Sequence, residues 1–295
     1  MTSSRCAHNC EEAASGAIVW LAAATTSRYP ATSATPHADP GWGVFETILV
    51  LEGRPVELDS HLERLEGSLR ALYDAELPES ARGAVLARGR EVSHGKLRLT
   101  VAPGDGRLLT QIATTEIEAG KVFPSAERGV ALRSFVVEGG LGDHKWADRR
   151  LLDGATAAAP AGELPLVVDA DGTVLEAARG SVFVAGEGWL ATPPTDGRIL
   201  PSIARQLAIE VARAEGIKTR EQRLTLEELR GGEAFLAGSV RGVEPVRSLD
   251  GIDLPSRGEL SARVAAGLRR RWLRVPQGEP VAVVAGERPA GPPAR

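Results

Sequence analysis

Hydrophobic residues recur along this chain with two periods, and the switches between them mark its elements. The run Gly43-Val44-Phe45-Glu46-Thr47-Ile48-Leu49-Val50 predicts a strand, and Glu52-Gly53-Arg54 turns it into a second strand at Pro55 to Leu58. Leu62, Leu65, Leu69 and Leu72 then fall at helical spacing behind a cap at Asp59 or Ser60, so that stripe belongs to a core. A second helix is expected over 82–91. A strand over 96–101 turns at Pro103-Gly104-Asp105-Gly106 and pairs back with 107–114. Ile18 to Leu21 predicts a further strand ahead of a Thr-, Ser-, Ala- and Pro-rich loop over 25–40.

The segment 136–143 carries Gly139, Gly140 and Gly142 and is the expected domain boundary. Beyond it, a helix is predicted near Arg149, then strands at 166–169 and 173–176 joined by the Asp171-Gly172 turn, then strands at 182–184 and 189–192. Ser202 to Glu215 is the clearest helix, with Ser202 as cap and Gly216 as stop. A strand over 217–223, a short capped helix over 225–230, a strand over 234–237 and a last helix over 261–271 complete the pattern. The reading is a mixed α/β fold: a disordered tail over 1–16, a small N-terminal α/β domain over 17–138, a larger C-terminal domain over 139–274, and a second disordered tail over 275–295. A cleft between two such domains is a common place for a ligand.

Composition narrows the function. The 295 residues are 43% hydrophobic and 25% charged, with a net charge of -4, which leaves no basic footprint for nucleic acid. No apolar run approaches the ~20 residues that span a bilayer. Cys6 and Cys10, with His8 between them, lack the second ligand pair of a zinc site, so no metal is expected. Two cysteines in a chain of this size fit a reducing, cytoplasmic setting. The apolar run over 17–24 follows Glu11 and Glu12 rather than the positive charge of a secretion signal.

The chemistry concentrates in the second half. Lys145 is one of four lysines in a chain crowded with arginine. Downstream lie Glu176, at the end of a predicted strand, and Ser202-Ile203-Ala204, at a helix start whose free N–H groups favour an anion. An amine, an acid and a phosphate-binding helix end are the parts that pyridoxal phosphate (PLP) requires.

In order and spacing these residues resemble the class IV aminotransferase family, the fold-type IV PLP enzymes. The resemblance covers roughly residues 40–250 and rests on Gly43-Val44-Phe45-Glu46-Thr47, His61-Leu62-Glu63-Arg64-Leu65, Lys145, Val174-Leu175-Glu176, Thr192-Pro193-Pro194, Leu200-Pro201 with Arg205, and Phe235-Leu236-Ala237-Gly238-Ser239 leading to Pro245-Val246. It implies that Lys145 bonds the cofactor and shuttles the proton, and that Glu176 faces the pyridine nitrogen. It implies that Arg64 grips the phosphate as a bidentate fork, aided by Ser202, Ile203, Ala204, Gly238 and Ser239. It also implies a homodimer. The chain departs from the family at Ser181, where asparagine is usual, at Ser202-Ile203-Ala204, where Gly-Ile-Thr is usual, and at Gly41-Trp42-Gly43.

The run Lys145-Trp146-Ala147-Asp148-Arg149-Arg150 is similar to the lyase branch, as are Glu176-Ala177-Ala178-Arg179 and Ser239-Val240-Arg241-Gly242-Val243. The expectation is therefore 4-amino-4-deoxychorismate lyase, which gives 4-aminobenzoate and pyruvate, with Arg98 and Arg150 as candidates for the substrate's carboxylates. A branched-chain or D-amino acid transaminase is the alternative, and a non-catalytic binding relative is a second.

Overall fold

The computed structural model describes residues 19–21, 37–124, 128–255 and 258–274. The expected tails, the Cys6–His8–Cys10 group and most of the loop over 25–40 lie outside the described residues. Two sheets organise the rest. The smaller is antiparallel in the order β1-β5-β4-β2-β3, with β1 at Val19–Leu21, β2 at Val44–Leu51, β3 at Arg54–Pro55, β4 at His94–Gly104 and β5 at Arg107–Glu116. One face of it packs on α1 (Leu58–Tyr73) and α2 (Ser80–Gly89). Val44, Ile48 and Val50 of β2 meet Leu58, Leu62, Leu65, Leu69 and Leu72, so the period-two row and the helical stripe bury each other.

The start of α1 differs from the expectation. The strand after the turn stops at Pro55, and the helix begins at Leu58, whose side chain joins the leucine stripe. Neither Asp59 nor Ser60 caps it. Glu57 takes the N-cap position with φ of 51° and no side-chain cap bond, and Asp59 pairs with Arg82 instead.

The larger sheet holds β6 (Val130–Val136), β7 (Glu163–Val168), β8 (Thr173–Ala177), β9 (Gly180–Gly186), β10 (Trp189–Thr192), β11 (Lys218–Glu221), β12 (Leu224–Thr225), β13 (Glu233–Gly238), β14 (Gly242–Leu249) and β15 (Ile252–Asp253). Pairing runs β9-β13-β14-β6-β7-β8, and β8 pairs with β9 again, so six strands close on themselves. Inside pack Leu132, Leu166, Val174, Val182, Val184 and Leu236. The alternate residues Phe183, Ala185, Phe235 and Ala237 point outward onto α4 (Ile203–Ala214) and α6 (Glu259–Leu273). The shorter helices are α3 (Arg150–Ala158) and α5 (Leu226–Gly231), and a capping box between Thr225 and Glu228 starts α5.

Because β6 pairs in parallel with both β7 and β14, it belongs to the larger sheet. The change of sheet therefore falls between Glu116 and Val130, upstream of the glycine segment read as the boundary. The glycines have another task. Gly140 has φ of +71°, and a Cβ there would lie 2.1 Å from the Arg198 carbonyl oxygen, so only glycine lets the chain pass toward Lys145. Among the described residues, no helix is long and apolar enough to cross a membrane.

Candidate active site

A cavity of about 410 Å³ opens between the two sheets. Lys145 enters it from a short segment that completes the small sheet. Phe45 N–H donates to the Lys145 carbonyl at 2.9 Å, and Ala147 N–H donates to the Gly43 carbonyl at 2.9 Å. Val44 and Trp146 form the bridge between these two bonds. The lysine's backbone is thus fixed by the edge of β2, and its Nζ lies 4.9 Å from the centre of the Phe45 ring. Burial pushes the amine down to about 8, and the Arg64 charge pushes the same way.

Glu176 sits near the end of β8, opposite Ser181 where β8 and β9 close the ring. Its Oε1 accepts from Leu200 N–H at 3.3 Å. Burial raises its pKa to about 7 against the opposing pull of that hydrogen bond and of Lys145. Amine and carboxylate therefore share one cavity in which burial favours the neutral form of each.

Arg64 reaches the cavity from α1. Its Nε and Nη2 donate to the two oxygens of Glu46 at 2.8 and 2.7 Å, and Nη1 donates to the Pro201 carbonyl at 2.9 Å. The side-on fork is therefore spent on Glu46. The Nη1–Nη2 end remains. Ser202 caps α4 by accepting from Arg205 N–H at 3.3 Å. The segment 200–202 is thus gripped from two sides, by Glu176 and by Arg64, just where α4 presents its free N–H groups.

Of the residues singled out in the sequence, Arg64, Arg98, Lys145, Glu176, Ser202, Gly238 and Ser239 meet around this cavity. Four do not line it. Ser181 is buried in β9 between β8 and β13, in the same outward-pointing row as Phe183 and Ala185. Ile203 and Ala204 belong with their side chains to the core behind α4, so only their backbone can serve an anion. Arg150 points away: it forks onto Asp148 at 2.9 and 2.7 Å and lies over the Trp42 ring at 5.1 Å. Trp42 itself is not part of the cavity wall. Neighbouring positions at a helix start point about 100° apart, and it is Arg149 that faces in. Arg149 donates to the Ala178 carbonyl at 3.2 Å, and its contact with Asp153 is long, at 3.8 Å.

Arg98 projects from the cavity face of β4, with its guanidinium carbon 3.9 Å from the centre of the Phe45 ring. Desolvation and the Arg149 charge both lower its pKa. Among the described residues, no carboxylate lies within ion-pair distance of it. Two roles went unread in the sequence. Glu46 and His61 were visible only as parts of motifs, yet both are buried beside Arg64.

The sequence profile of the class IV amino-transferases matches residues 43–249. The chain belongs to this family. Class IV aminotransferases are PLP-dependent enzymes, and in this member Lys145 and Glu176 line one cavity. It is 31% identical over 254 residues to the bifunctional aminodeoxychorismate lyase / D-amino acid transaminase of Mycobacterium tuberculosis, a match covering 74% of this chain and 87% of that one. Its fold is similar to the PLP-bound form of a hypothetical aminotransferase from Mycobacterium tuberculosis, with a TM-score of 0.71 and 26% identity over 79% of this chain and 90% of the other. It is also similar to the 4-amino-4-deoxychorismate lyase of Pseudomonas aeruginosa, with a TM-score of 0.67 and 25% identity over 81% and 96% of the two chains.

Proposed function

We propose that this class IV aminotransferase is a 4-amino-4-deoxychorismate lyase that releases 4-aminobenzoate and pyruvate. The observation that carries the proposal is a cavity pairing Lys145 and Glu176 with two guanidinium groups: Arg98, which has no carboxylate within ion-pair distance among the described residues, and Arg149, whose contact with Asp153 is long at 3.8 Å. A substrate with two carboxylates would neutralise them. The similarity to a lyase / transaminase supports the same reading.

The residues fit PLP. Lys145 offers an amine with a depressed pKa, and Glu176 offers a carboxylate for a cationic ring nitrogen, next to which it would stay ionised. The free end of Arg64, the N-terminus of α4 and the Gly238-Ser239 turn would hold the phosphate. When bound, the cofactor supplies an electron sink for the charge left by a broken carbon–hydrogen bond. As a free amine, Lys145 Nζ would take the proton from the amine-bearing carbon of the substrate. Arg98 and Arg149 hold the carboxylates so that this carbon faces Nζ. The ring carbon–oxygen bond then breaks, the enolpyruvyl group leaves and becomes pyruvate on protonation, and the ring becomes aromatic. The sum is one molecule split into two, with no second substrate. In a transaminase, Lys145 would instead return the proton to a different carbon and a keto acid would leave. The reading carries with it the homodimer that the family resemblance implies.

The test uses purified protein with PLP and aminodeoxychorismate generated in place by its synthase. Formation of 4-aminobenzoate and pyruvate together, abolished in Lys145→Ala, is expected. A lysine-dependent visible band without either product would overturn the lyase assignment and favour transamination.

A further inference from the structure

Glu46 occupies a position that packing alone does not explain. It stands in the row of β2 that faces α1, between Val44 and Ile48, and is 1% exposed. A charge placed there is costly unless paired, and an apolar residue of similar volume is often no less stable. Yet burial, which acts to raise its pKa, is outweighed by the Arg64 charge and by hydrogen bonds from His61 and Arg64, and the group is held at about 2. Its partners come from one helix face: His61 Nδ1 lies 2.7 Å from Oε2, and Arg64 uses both Nε and Nη2.

We propose that Glu46 is a positioning residue for the cofactor's phosphate, acting through Arg64. It fixes the guanidinium plane from behind, so that the end not used by Glu46 and Pro201 is presented to the cavity in one orientation. A free arginine side chain has several rotatable bonds to immobilise on binding an anion, and a preformed fork has lost that freedom already. His61 fixes Glu46 in turn. Burial lowers the histidine's pKa, so its hydrogen bond to Glu46 serves orientation rather than added charge. The Pro201 carbonyl completes the clamp and ties Arg64 to the start of α4, the other candidate donor to the phosphate.

The proposal rests on the assignment of this cavity to PLP, and the experiment separates the two. Dissociation constants of PLP and of pyridoxal, which lacks the phosphate, are measured on the cofactor-free protein. Glu46→Gln keeps the shape of the side chain and removes its charge. The preference for PLP over pyridoxal should fall by roughly tenfold, with pyridoxal affinity unchanged. In an Arg64→Ala background, Glu46→Gln should lower that preference no further. Glu46→Asp, which keeps the charge, should recover part of it and serves if the glutamine variant does not fold. An unchanged preference, or an equal fall for both ligands, would overturn the proposal while leaving the cofactor assignment intact. Failure of the unchanged protein to bind PLP would sink both.

Discussion

Lys145 has the chemistry of its task in its surroundings rather than in its own structure. Desolvation lowers its pKa to about 8, and Arg64 and Arg149 add to the effect. The neutral amine is the nucleophile, so its fraction rises about tenfold for each pH unit up to that value and then levels. PLP uptake by the cofactor-free protein, followed by its visible band, should accelerate in the same way, with a bend near pH 8. Arg149→Ala removes a repelling charge and admits water, and both changes favour the protonated form. The bend should therefore move to higher pH. A rate independent of pH between about 6.5 and 9 would contradict this account. Lys145, Glu176 and Arg64 were legible in the sequence because each falls in a motif of distinctive spacing. Arg149 was not told apart from Arg150, since adjacent residues at a helix start differ only in direction. Glu46 had a local signal, an acid in an otherwise apolar alternate row, which matters only once α1 is known to cover that row.

Among elements, α4 is the one where sequence, structure and site coincide. Its cap and its length agree with the pattern read from the chain. Ser202→Ala removes a cap worth about 1 kcal/mol, which is ~2–4 °C in melting temperature for a domain of this size. Ser202→Gly costs only a few tenths of that. If the cap alone matters, the glycine variant should behave as the unchanged protein. If the hydroxyl also donates to the phosphate, both variants should bind PLP more weakly while only alanine lowers the melting temperature of the cofactor-free protein. Equal PLP affinity in all three would remove Ser202 from the site. The two long strands missed from sequence, β6 and β14, share a physical reason. They pair in parallel across more than a hundred residues of chain, and β14 contains Pro245, which breaks the usual signature of a strand. Such pairing has no local periodicity to read. The closed ring it completes was therefore invisible, although β8 and β9 on its rim were predicted.

At the scale of the whole molecule, the cavity exists only because the small sheet and the closed ring are held in register. The place of Lys145 against the small sheet passes through Gly43. Its φ is +82°, and a Cβ there would lie 2.1 Å from the Val101 carbonyl oxygen and 2.6 Å from the Ala102 Cα, both backbone atoms of β4. Its own carbonyl accepts from Ala147, two residues past Lys145. Any shift that relieves the overlap must move either β4, which carries Arg98, or the segment that carries Lys145. Gly106 offers a control, because its φ is +74° but nothing lies within 4 Å of the added Cβ. Gly106→Ala isolates the backbone strain of a positive φ, about 1 kcal/mol. Gly43→Ala adds a clash that cannot be relaxed by a flexible side chain and should cost more than about 2 kcal/mol. Thermal unfolding of the two cofactor-free variants measures that difference. The accompanying loss should be specific: Gly43→Ala slows PLP uptake, because the amine is displaced from its fixed position, while Gly106→Ala leaves uptake unchanged. Equal melting temperatures and equal uptake would mean that the Gly43–Ala147 bond does not set the lysine's place, and that the ring alone positions it.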